Sequence, residues 1–148
     1  MARPAQGTTV FVDTLLQSQG ATPTFTTQVK CPMNIGGIGS GDRTEIEVST
    51  LCSQVKEYIL GLKDEGEISM EMPYDPLDPG QALIQTARDA NGLANRLSFQ
   101  INIPADGADA AITFTFEALV KVFSKDIAVD EYVKSSVNIR VVTPIAIT

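Results

Sequence analysis

Thr44 to Met72 reads TEIEVSTLCSQVKEYILGLKDEGEISMEM, and the periods within it set the fold class. Ile46 and Val48 share one side of an extended stretch, opposite Glu45, Glu47 and Ser49, which is the two-residue period of a half-buried strand. After Leu51 the period changes. Val55, Tyr58, Ile59 and Leu62 stand at i, i+3, i+4 and i+7, a single apolar stripe that predicts a short helix capped by Ser53 and stopped by Gly61. Glu67 to Met72 then alternates again, with Glu67, Ser69 and Glu71 on one side and Ile68, Met70 and Met72 on the other.

Strand patterns also lie on both sides of this stretch. Thr9 to Asp13 and Phe25 to Val29 are strands, the second ending before Pro32. Asn34 to Arg43 (NIGGIGSGDR) is glycine-rich and predicts a loop. Beyond Met72, Asp75 to Gly80 is a proline-rich turn. Asp78 is the expected N-cap of a helix, Pro79 its first residue and Gln81 a capping-box partner; Leu83, Ala87 and Ala90 form its stripe, and Asn91-Gly92 ends it. Leu97 to Ile103, Ile112 to Phe123 and Tyr132 to Val142 are three more strands, the first two joined through a turn at Asp106-Gly107. About seven strands and two short helices predict one mainly β domain over residues 1–148, with short arms at 1–8 and 144–148. Its expected form is a β-sandwich or barrel-like fold with one flanking α-helix and a short second helix.

Composition narrows the function. Eighteen acidic and eleven basic residues among 148 give a net charge of −7, the wrong sign for gripping nucleic-acid phosphates. The chain has no histidine, which removes Ser-His-Asp triads and most zinc sites, and no tryptophan for a sugar platform. Cys31 and Cys52 are expected as free thiols, since the chain reads as a cytoplasmically assembled protein with no secretory signal. No stretch approaches the roughly 20 apolar residues of a membrane helix.

The motifs that could carry chemistry have plainer readings. Gly36 and Gly41 have P-loop spacing, but Asp42 and Arg43 stand where Lys and Ser or Thr are needed. Asp75, Asp78 and Gly80 lack the alternating ligands and closing Glu of a calcium loop. Asp64, Glu65 and Glu67 around Gly66 form a solvated turn rather than a cation site. Glu67 and Glu71 would stand roughly 13 Å apart along a strand, beyond glycosidase geometry. No catalytic, cofactor or metal residue is expected.

Three submotifs within Thr44 to Met72 resemble the signature block of the tail tube proteins of long-tailed bacteriophages. They are Ile46-Glu47-Val48-Ser49-Thr50-Leu51, Glu57-Tyr58-Ile59-Leu60-Gly61-Leu62 and Asp64-Glu65-Gly66-Glu67-Ile68-Ser69. The resemblance extends more loosely over residues 9 to 143 and leans to non-contractile tails. Cys52 departs from the pattern, and the short tail Pro144 to Thr148 is expected to lack the immunoglobulin-like domain that some relatives carry.

The resemblance implies a structural subunit of the virion, assembled in the host cytoplasm. Homohexameric rings would stack into a hollow tube whose continuous inner β-barrel conducts DNA without binding it specifically. Tape measure, tail terminator and baseplate or tail-tip proteins are the implied partners, and no membrane is involved. A continuous barrel also removes exposed strand edges. On this reading Asn34, Ile35, Gly36, Gly37, Ile38, Gly39, Ser40, Gly41, Asp42 and Arg43 form an inter-ring contact loop, mobile in the free subunit. Glu67, Ser69, Glu71, Thr113, Thr115 and Glu117 are candidates to face an acidic lumen. The alternatives are a tail terminator, a type VI secretion tube-like protein, or a soluble β-sandwich binding module.

Overall fold

The computed structural model describes residues 6–30, 32–129 and 131–148. In chain order its elements are β1 (Thr9–Asp13), β2 (Thr27–Val29), β3 (Asn34–Gly36), β4 (Arg43–Glu47), β5 (Tyr58–Lys63), β6 (Glu67–Pro73), α1 (Pro79–Asp89), β7 (Arg96–Ile103), β8 (Ile112–Asp126), β9 (Lys134–Val141) and β10 (Ala146–Ile147), with 3-10 turns at Gln17–Gln19 and Gly92–Asn95. The main sheet runs β2-β1-β7-β8-β9-β6-β3, all antiparallel, and β10 pairs with β8 beside it.

β8 spans fifteen residues and belongs to both halves of this sheet. A bulge between Val120 and Val122 breaks its register with β9, and a bulge bends a strand. Alternation along every strand sends one set of side chains to a shared core. Val10 opposes Ile101, Phe99 opposes Phe116, Ile139 opposes Ile68 and Val137 opposes Met70, and all eight are buried. The Phe99 and Phe116 rings stack with centroids 5.7 Å apart.

α1 covers this core through Ile84 and Ala87. Asp78 caps it as expected: one carboxylate oxygen accepts from the Gly80 N–H at 3.4 Å and the other from the Lys30 N–H at 3.0 Å. A Cβ on Gly80 would lie 2.6 Å from the Gln28 carbonyl oxygen, so glycine is what lets the helix start seat against β2. Gln81 is not a capping-box partner. Its side chain bonds the Asp75 N–H and the Pro73 carbonyl instead. Ile84 joins Leu83 and Ala87 on the core side, and the C-cap is Ala90, one residue before the expected Asn91-Gly92 stop.

The second helix expected over Ser53 to Gly61 is absent, and a β-hairpin stands in its place. Glu45 pairs with Leu60, Ile46 with Ile59 and Glu47 with Tyr58. Ser53 closes the turn rather than capping a helix: its Oγ accepts from the Thr50 N–H at 2.9 Å and donates to Glu57 at 3.2 Å. Tyr, Ile and Gly are weak helix formers, so a stripe built from them yields to strand pairing. Residues 144–148 are not a free arm either. Ala146 and Ile147 pair with β8, and Thr148 and Thr113 exchange backbone hydrogen bonds of 2.9 Å. Residues 1–5 of the expected N-terminal arm, and Cys31, lie outside the described residues.

Candidate assembly and channel surfaces

β9 lies between β6 and β8, so the two rows of candidate channel residues share one face of one sheet. Across it Ser69 opposes Asn138, Glu71 opposes Ser136, Thr115 opposes Gln100 and Thr113 opposes Asn102. Ser69 and Glu71 are exposed, while Thr113 and Thr115 are half-buried.

The face is not a bare acidic wall. β9 brings Arg140 opposite Glu67. Each cation that strands β6 to β9 present on this face has a carboxylate beside it: Lys121 pairs with Glu67, Arg140 with Asp64 at 2.6 Å, Arg96 with Glu117 at 2.9 Å and Lys134 with Glu131 at 3.8 Å. The Lys121 ammonium, with the Asn138 amide, holds the Glu67 carboxyl below its ordinary pKa. Glu117 does not face an open channel. It is 6% exposed, covered by the Gln17–Gln19 turn, and accepts from the Ser18 N–H at 3.0 Å and the Ser18 hydroxyl at 2.6 Å. Its charge is taken up in binding this turn and Arg96 to the sheet.

The β4–β5 hairpin is a separate two-stranded sheet. Its base is rigid. Gly66 has φ +79°, its N–H bonds the Asp64 carboxylate at 2.8 Å, and a Cβ on it would meet the Gly41 nitrogen at 2.7 Å. The Gly66 N–H, then Arg140, lowers the Asp64 pKa. Beyond this base the arm carries apolar groups on both faces. By strand alternation Ile46, Val48 and Ile59 share one face, and Tyr58 and Leu60 share the other, while Leu62 lies at a register shift near the base. All six are exposed, Leu62 to 93%, and Leu51 at the turn is fully so. Monomeric proteins seldom leave such surface uncovered.

The family model of the lambda-like phage tail tube matches residues 1–148. The chain belongs to that family. It is therefore a structural component of a phage tail, part of the virion, and not an enzyme. Its fold is shared with a chain in the structure of the PVC sheath/tube terminator of an extracellular contractile injection system (TM-score 0.71, 9% identity, 100% of this chain and 97% of that one). It is shared also with the SPP1 tail tube (0.64, 14%, 97% and 78%) and the tail of the empty gene transfer agent particle (0.62, 15%, 99% of each). No curated protein matches it in sequence.

In this tail tube chain Asn34 to Arg43 is not one loop. Asn34–Gly36 forms β3 on the edge of the main sheet, Ile35 and Ile38 pack against the core, and Arg43 opens β4. Only Gly37 to Asp42 is a connection, and Ser40 bonds the Glu67 carbonyl at 3.2 Å. The hairpin form of the arm is the feature that sequence reasoning missed. Its signal was present in the density of apolar residues from Ile46 to Leu62, which strand alternation places on both faces of a hairpin. Among the described residues no group of His, Cys, Asp or Glu is arranged to hold a metal, and Cys52 sits exposed in the arm turn.

Proposed function

We propose that this chain closes into homohexameric rings, that the rings stack into a hollow tube, and that DNA passes through the channel. The observation that carries the reading is the arm: a hairpin apolar on both faces and buried on neither is built to be covered by other copies. Sixfold symmetry is supported by the C6 symmetry of the gene transfer agent tail, whose fold this chain shares. β3, the last strand of the main sheet, supplies an edge for a barrel continued across subunits.

In this reading the face bearing Ser69, Glu71, Thr113 and Thr115 lines the channel, with Glu67 neutralised by Lys121. A passing duplex would meet no unpaired cation on this face of strands β6 to β9, so it would release few counterions and would not be held. Gly37 to Asp42, leading into the arm, lies at the inter-ring contact. A tape measure protein would fill the channel before DNA does, with terminator and tail-tip proteins at the ends of a non-contractile tail.

The test is negative-stain imaging and size-exclusion chromatography of the purified full chain. Hollow stacked rings support the proposal, and monomers at every concentration overturn it. A second reading, a single ring capping a tube end, is favoured by the likeness to the injection-system terminator; rings that never stack would select it.

A further inference from the structure

β9 does not reach the first half of β8, because their register begins at Ala118 and Val141. The segment Val142 to Thr148 takes β9's place there. The Val142 N–H donates to the Glu117 carbonyl at 3.0 Å, and the Glu117 N–H to the Thr143 hydroxyl at 2.9 Å. Ala146 pairs with Thr115, and Thr148 exchanges backbone hydrogen bonds with Thr113. The stretch of β8 covered in this way, Ile112 to Phe116, reads ITFTF: five residues of high β-propensity with no charge and no proline. Such a run, once its backbone is exposed, pairs readily with copies of itself. The charges that bound it stand outside the run: Asp109 in the turn closed on Asp106, and Glu117 bound to Arg96 and Ser18.

The cover is slight. β10 has two residues, both exposed, Ile147 to 66%, and Ile145 is the residue of this segment that packs against the core. A strand this short, entered through Pro144, which has no N–H, is a poor template for a further strand. We propose that β10 is a displaceable guard on the β8 edge. Seated, it keeps copies from pairing through β8 and so steers strand addition to β3. Displaced, it uncovers the N–H and C=O groups of Thr113, Thr115 and Glu117, and the edge takes the same edge of a second copy. Antiparallel pairing of two identical edges answers the backbone groups of both. The proposal goes beyond the tube reading and holds for the unassembled chain.

The experiment compares the full-length wild type with Ala146→Pro/Thr148→Pro. This variant removes the Thr148 N–H that bonds Thr113 and the Ala146 N–H opposite Thr115, and no core side chain. Circular dichroism and the urea midpoint report folding. Thioflavin T fluorescence of the incubated variant should rise at least tenfold above wild type. Adding Thr113→Lys, which puts a charge on the uncovered edge, should return it to within twofold of wild type. A folded variant with no rise would overturn the guard. So would a rise that Thr113→Lys leaves in place, since that marks general destabilisation. A variant that does not fold would overturn it as well, because the segment would then belong to the core.

Discussion

Phe25 has φ +50°, a left-handed conformation that costs a non-glycine residue about 1 kcal/mol or more. Asp13 holds it there. One carboxylate oxygen accepts from the Thr24 N–H at 2.7 Å, the Thr24 hydroxyl at 3.0 Å and the Phe25 N–H at 3.3 Å, and the other accepts from the Leu15 N–H at 3.0 Å. Burial alone would raise the Asp13 pKa, but these four donors outweigh it and the net shift is downward. A lowered folded-state pKa stabilises the fold above the unfolded value, near 3.8, and that stability is lost as pH falls through the folded value. Asp13→Asn should therefore cost about 1–3 kcal/mol at pH 7 and flatten the acid side of a melting-temperature profile between pH 6 and pH 3. An unchanged profile would remove Asp13 from this role. Glu117 gives a second residue-scale test. Its replacement by Ala strands the half-covered Arg96 and frees the Ser18 turn, and should cost about 3–5 kcal/mol in urea unfolding. A lumen-facing carboxylate with no structural load would cost almost nothing.

At the scale of elements, the arm and the core are separate objects. Ile46 and Ile59 pair across the hairpin and lie outside the buried cluster. Ile46→Asp/Ile59→Asp should shift unfolding of the unassembled chain by less than about 1 kcal/mol, whereas Ile35→Asp, in contact with the core, should cost several. Equal losses for both would show that the arm folds into the core. The same contrast explains how much was legible. β1, β6, β7, β8, β9 and α1 follow from apolar periodicity, because each presents one face to the core and that face records its period. The Ile46 and Val48 alternation marks the arm's first strand, but Val55, Tyr58, Ile59 and Leu62 have helical spacing, and a hairpin that buries neither face leaves no one-sided pattern to mark the second. β3 was hidden by Gly36 and Gly37, whose place on the sheet is set by Ser69 and Glu67, some thirty residues later. The polar period of Thr113, Thr115 and Glu117 was readable. That Ser18, 99 residues earlier in the chain, covers Glu117 was not.

At the scale of the whole molecule, the account makes the channel wall a surface of answered charges. Ser69→Lys/Glu71→Lys adds two unpaired cations per subunit to the exposed part of that face. In virions carrying the double variant, DNA ejection should slow at low ionic strength and recover as salt rises, the signature of counterion release. Ejection with no salt dependence would place the face elsewhere. The most direct test is a helical cryo-EM reconstruction of the assembled wild-type chain. The account predicts a hollow sixfold tube with Ser69, Glu71 and Thr115 on its inner wall and each arm seated on the neighbouring ring. A solid or non-tubular assembly, or a tube with those three residues on its outer surface, would contradict it.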